Sequence, residues 1–123
     1  MMIRIDHENY IKTGIEFVDG KYNLSTVVTH HTSDWSVIAL DKPVNVIWIK
    51  AVRRLDAVEI FYSFDDNTYY MMRNAWLEAN RPVRIGMFAA CPDGDGFDVT
   101  FSDFKVTHLP DKVRTEWLRN NAE

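Results

Sequence analysis

The sequence predicts an all-β chain, an antiparallel β-sandwich followed by a short C-terminal helix. Three observations carry this reading. Runs rich in Val, Ile, Phe, Tyr and Trp alternate with polar residues at period two. Turn-forming clusters separate the runs where a parallel sheet would need helical crossovers, so successive strands pair antiparallel and bury their apolar faces most simply as two stacked sheets. Finally, 123 residues with 46% apolar and 13% aromatic side chains suffice for one core and not for two. A single domain over residues 1–123 follows, with no repeat, low-complexity tract or linker to divide it.

The first strand is expected over residues 10–18 and the second over 22–31. Asp19-Gly20 between them supplies the positive φ of a tight hairpin. A third strand, 35–40, stops at Asp41-Lys42-Pro43, because proline lacks the donor that a ladder needs. In the fourth, 44–52, Ile47, Ile49 and Ala51 point one way and Trp48 and Lys50 the other. The fifth, 57–64, and sixth, 68–76, flank Asp65-Asp66-Asn67, whose side chains bond nearby backbone and favour a turn.

Asn80-Arg81-Pro82 precedes the seventh strand, 83–91, and the Pro92-Asp93-Gly94-Asp95-Gly96 loop precedes the eighth, 97–109. In that strand Phe97, Val99 and Phe101 alternate with Asp98, Thr100 and Ser102. The phase then slips by one to Phe104 and Val106, which predicts a bulge near Ser102-Asp103. Pro110-Asp111 introduces a helix over 112–120, with Val113 and Trp117 at helical spacing.

Charge and composition exclude several function classes. A net charge of −4 with no Lys/Arg block speaks against a nucleic-acid surface. The longest apolar run, near 83–91, is broken by Arg84 and Gly86 and is too short for a transmembrane helix. Acidic residues stand where a secretory signal would be basic, and a single cysteine, Cys91, permits no internal disulfide. Together these predict a cytoplasmic chain. Cys91 itself reads as a small buried thiol at a strand end. No cofactor is expected, since there is no phosphate-cradling Gly-rich motif and no Cys/His cluster.

Several blocks resemble a known family in a consistent order. They are Lys12-Thr-Gly-Ile-Glu-Phe-Val-Asp-Gly20, Ser33-Asp-Trp-Ser36, Phe61-Tyr-Ser-Phe-Asp65, Tyr70-Met-Met-Arg73, Gly86-Met-Phe-Ala-Ala-Cys-Pro92 and Gly96-Phe-Asp-Val-Thr-Phe-Ser-Asp-Phe104. Over about residues 11–107 they resemble bacterial and fungal concanavalin A-like proteins, some of them called "regulation of enolase" proteins. The resemblance implies a jelly-roll sandwich. It also implies an incomplete one, because family members usually have additional strands ahead of the Lys12–Glu16 segment. An open sheet edge would then be covered by repacking or by a second subunit, a homo-oligomer.

Sandwiches of this type often hold sugars on a curved face, and this chain interleaves rings with polar groups at Lys12, Glu16, Trp35, Trp48, Tyr62, Tyr69, Arg73 and Trp76. Aromatic planes stack on pyranose C–H faces while charged groups hold hydroxyls, so carbohydrate or small-ligand binding is the leading function. Packing is the commoner role of any one strand aromatic. Glu16 and Arg73 lie within mostly apolar strands, where an ion pair would account for both as well as a ligand would.

Catalytic signatures are sparse. The Glu-x-Asp-x-x-Glu pattern of sandwich glycosidases is absent, and Glu59 is followed by Phe61 and Ser63. Tyr62, His30 and Arg73 form a lyase-like set only if they converge. His30-His31 point to opposite faces and are poorly placed to share a metal, and Asp93-Gly94-Asp95-Gly96 reads as a polar turn without EF-hand spacing. The reading is a noncatalytic ligand-binding sandwich. Its alternative is an intracellular protein-interaction or regulatory module for a metabolic enzyme, as the family resemblance implies.

Overall fold

The computed structural model describes residues 1–110, so the helix expected over 112–120 lies outside the described residues. Eight strands follow in chain order: β1 (Met2–Arg4), β2 (Asn9–Val18), β3 (Lys21–His30), β4 (Thr32–Ala39), β5 (Trp48–Arg54), β6 (Ala57–Ser63), β7 (Tyr70–Trp76) and β8 (Arg84–Gly86). They form two antiparallel sheets, a five-stranded one in the order β4-β3-β2-β1-β8 and a three-stranded one in the order β5-β6-β7.

The hairpins form where turn chemistry permits them. Val18 pairs with Lys21 across Asp19-Gly20, which sit at φ 52° and 73°. Two successive positive φ values match the right-handed strand twist, and glycine takes the second without steric cost. Between β6 and β7, Asp65 Oδ1 accepts hydrogen bonds from Ser63 Oγ (2.8 Å), Asn67 N (2.9 Å) and Thr68 N (2.8 Å). The expected side-chain-to-backbone turn is thus in place. Two turns carry no such signal. Leu55 takes φ 56° between β5 and β6, and His31 takes φ 58° between β3 and β4, its N–H bonded to Glu8 O at 2.9 Å.

Period-two alternation sets the core. On the inner face of the large sheet Ile3, Ile11 and Val28 share a row, since Ile3 pairs with Ile11 and Ile11 with Val28. They pack with Val58, Ile60, Ala75 and Leu77 from the small sheet and its end, flanked by Ile49 and Ala51. Burying each of the larger side chains contributes about 1.5–3 kcal/mol. Two hydroxyls share this face. Thr13 Oγ1 donates to Ser25 O or to Thr26 Oγ1, both at 3.0 Å, so neither polar atom is stranded.

Four expectations are corrected. β1 was not foreseen, because three residues are too few to establish a period. The seventh strand contracts from 83–91 to Arg84–Gly86, the length its partner β1 can pair. The eighth, 97–109, has the alternation of a strand but no ladder, and among the described residues the one register shift lies in the β6–β7 pairing between Ile60 and Phe61. Alternation supplies a face, whereas a strand also needs a partner's backbone. Cys91 is exposed, since the strand that would have buried it ends at Gly86.

Candidate functional site

Pairing register distributes the candidate residues over three places. Tyr62 and Arg73 have the parity of Ile60 and Val58 and lie on the core side of the small sheet. Trp48 and Trp76 have the opposite parity and stand at opposite ends of β6, paired with Ser63 and Ala57. Lys12, Glu16 and Trp35 share the outer face of the large sheet.

On and beside the small sheet, Arg73, Tyr62, Trp76 and Tyr69 are engaged in structure. Arg73 Nη2 donates to Asp34 Oδ2 and Nη1 to Ser36 Oγ, both at 2.8 Å, fastening β7 to β4. Its ion pair is therefore with Asp34 and not with Glu16. Tyr62 packs edge-on against Phe64 with 5.5 Å between centroids and lies 5.7 Å from the Tyr70 ring. Trp76 donates its Nε1–H to Asp56 Oδ2 at 3.1 Å and meets the His30 ring at 4.8 Å. Tyr69 donates its hydroxyl to Asp66, and that bond first of all holds its pKa up to about 12. Lys50 lies over the Tyr69 and Phe61 rings at 4.2 and 5.0 Å.

The lyase-like set does not converge. His30 Nε2 lies 3.0 Å from Trp76 O at one end of β7, and Tyr62 pairs with Tyr70 at the other. Six residues of strand separate those ends, about 20 Å. His31 turns to Glu8, with Nδ1 to Oε2 at 3.2 Å. Among the described residues no three His, Cys, Asp or Glu side chains converge as metal ligands.

The outer face of the large sheet is different. Lys12, Val27 and Trp35 form one rung, Gly14, Ser25 and Val37 the next, and Glu16, Asn23 and Ala39 the third. Trp35 is 54% exposed, yet its Nε1–H is fixed on Ser25 Oγ at 3.0 Å, which tips the indole toward the middle rung. Gly14, at φ 155°, puts no side chain on that rung. The middle rung thus carries only Gly14, the buried Ser25 and Val37 beside the Trp35 indole, and Lys12 and Glu16 stand about 13 Å apart along β2.

Among the described residues neither Lys12 nor Glu16 has an ion-pair partner, and Lys12 Nζ faces the Phe88 ring at 5.7 Å. Sequence reasoning missed Gly14, Ser25 and Asn23, small residues whose place beside Trp35 appears only once the register is known. A separate hollow of about 410 Å³, between the 40–46 loop and Phe64, is lined by none of the candidates.

Fold and face together define a two-sheet antiparallel β protein with an open polar and aromatic sheet face. The chain belongs to the family described as "Protein of unknown function (DUF1349)", whose model matches residues 1–109. It is similar to "Regulation of enolase protein 1" of Saccharomyces cerevisiae, 32% identical over 107 residues that make up 87% of this chain and 54% of that protein. An uncharacterised protein of Emericella nidulans is 32% identical over 94 residues, 73% of this chain and 47% of the relative. A solved structure, "The crystal structure of a functionally unknown protein from Saccharomyces cerevisiae", superposes with a TM-score of 0.61 at 32% identity, covering 64% of this chain and 43% of its own. The chain spans about half the length of the curated relatives it matches.

Proposed function

We propose that this chain is a concanavalin A-like jelly-roll sandwich that binds a carbohydrate on the open sheet face over Gly14 and Ser25, beside Trp35. Trp35 carries the reading. Its ring face is open while its one polar atom is already bonded, so the indole presents a preoriented apolar plane. Such a plane suits the C–H face of a pyranose. Lys12 can donate to sugar hydroxyls and Glu16 can accept from them, and neither charge is neutralised within the described residues. A shallow open site of this kind suits a binding module, with affinity set by one stacked ring and a few charge-assisted hydrogen bonds.

A glycan array followed by calorimetry tests this reading. One sugar class should bind at millimolar concentration or below, and Trp35→Ala should weaken it at least about tenfold, or 1.4 kcal/mol. No binding to any neutral or acidic sugar at millimolar concentration would remove the proposal.

The name of the yeast relative favours a second reading, a cytoplasmic interaction module that regulates a metabolic enzyme. Titrating the chain into an enolase assay tests it. A saturable change in kcat or KM supports this reading, and unchanged kinetics with no complex in sedimentation removes it.

A further inference from the structure

We infer that the sugar held on this face is an acidic one, its carboxylate or sulfate gripped by Arg4 and Arg84 with Lys12 beside them. The inference rests on the carbohydrate reading and adds to it the charge of the ligand. Arg4 of β1 pairs directly with Arg84 of β8, and on its other side with Tyr10 of β2. Met2 pairs with Lys12, so Lys12 stands diagonal to Arg4 on the neighbouring strand, about 7–8 Å away. All three cations have the parity of Gly14 and Ser25 and therefore share the outer face of the large sheet.

Like charges directly opposite each other on adjacent strands destabilise a sheet, and an anion lying between them reverses that sign. No such anion comes from the described residues. Arg84 is exposed and has no carboxylate partner there. Arg4 is exposed too, and its Nε donates to the backbone carbonyl of Asp6 at 3.1 Å, which leaves the charge uncompensated. The Asp6 carboxylate itself is taken by Arg81, Asn9 and the Glu8 N–H. Glu16, the one acidic ladder residue on this face among the described residues, lies six residues from Tyr10 along β2, about 20 Å. A chain of net charge −4 thus gathers three cations at one end of one face, from positions 4, 12 and 84.

The chemistry of the cluster selects its ligand. Guanidinium forks meet the paired oxygens of a carboxylate or sulfate bidentately, in charge-assisted bonds stronger than those to neutral hydroxyls. A nucleic-acid backbone offers similar oxygens, but three cations on one short stretch of sheet fall short of the extended basic footprint it requires. Trp35 ties the cluster to the stacking site, because Lys12 lies on the Trp35 rung, two strand spacings or about 10 Å from it. An oligosaccharide that stacks one ring on the indole and continues across β3 and β2 brings an acidic unit onto Lys12 and the arginine pair. A neutral one leaves the pair unanswered.

Calorimetry of the full chain with matched glycans tests the inference: an oligogalacturonate against its methyl ester, and dextran sulfate against dextran. One acidic form should bind at least about tenfold more tightly than its neutral match, and Arg84→Gln should remove most of that difference while leaving neutral-glycan affinity within about twofold. Raising NaCl from 0.1 to 1 M shortens the screening length from about 10 Å to about 3 Å and should erase the same difference. The variant should fold, since removing one of two opposed cations leaves the thermal midpoint unchanged or higher. Equal affinity for acidic and neutral forms overturns the inference and leaves the carbohydrate reading standing. An acidic preference that survives both Arg84→Gln and Arg4→Gln overturns it in the same way. Inorganic polyphosphate or a single-stranded oligonucleotide bound as tightly as the acidic glycan would mark mere attraction to polyanions and overturn it too. Failure of every glycan, acidic and neutral alike, removes the carbohydrate reading and this inference with it.

Discussion

Two carboxylates, the half-buried Asp6 and the exposed Asp65, act as clasps, and both sit far below the ordinary range. The amide of Asn9, the backbone N–H of Glu8 and the guanidinium of Arg81 hold Asp6 at about 2, against an ordinary 3.8. The backbone N–H groups of Thr68 and Asn67 and the Ser63 hydroxyl hold Asp65 at about 2 as well. Because the folded values lie below the unfolded ones, the unfolded chain binds more protons in acid. The stabilisation is present above pH 3.8 and is lost as pH falls through about 2. The urea midpoint should therefore drop between pH 5 and pH 2, and less steeply in Asp6→Asn and Asp65→Asn. Equal slopes in all three proteins would contradict this. Arg53 is a third clasp, its guanidinium donating to the carbonyls of Glu78 (2.6 Å), Ala79 (2.9 Å) and Arg81 (3.2 Å). Arg53→Met should cost about 2 kcal/mol in denaturant unfolding, since hydrogen bonds from a charged donor outweigh neutral ones.

At the scale of elements, two turns make opposite predictions. Gly20 occupies φ 73° in the β2–β3 hairpin, so Gly20→Ala should lower stability by about 1 kcal/mol. Leu55, exposed at φ 56°, bears a comparable strain, and Leu55→Gly should recover up to about 1 kcal/mol. Thermal melts of both variants check the pair. The same contrast explains what was legible in the sequence. Asp19-Gly20 and Asp65-Asp66-Asn67 announce themselves chemically, whereas leucine and histidine carry no mark of positive φ. Strands β2 to β7 could be read from alternation, but β1 was too short, and segment 97–109 shows that alternation does not reveal whether a partner exists. The candidate site was half legible. Lys12, Glu16 and Trp35 could be recognised as polar and aromatic strand residues. Only register separates them from Trp48, Tyr62, Arg73 and Trp76, because which face a side chain occupies depends on pairing far along the chain.

For the whole molecule, the two sheets share one apolar interior, and the outer face of the larger sheet keeps its charges unspent. That asymmetry is the ground on which we propose ligand binding on β2 to β4. The core side of the small sheet holds its polar groups in the Arg73 bridge and the Tyr62 ring cluster. An amide-resolved NMR titration with the sugar that scores highest in array screening tests this division most directly. Lys12, Gly14, Glu16, Ser25 and the Trp35 indole N–H should shift together and saturate with one Kd, while the Trp48 and Trp76 indoles stay still. Shifts centred on Trp48, Tyr62 or Trp76, or none near Trp35, would contradict the account.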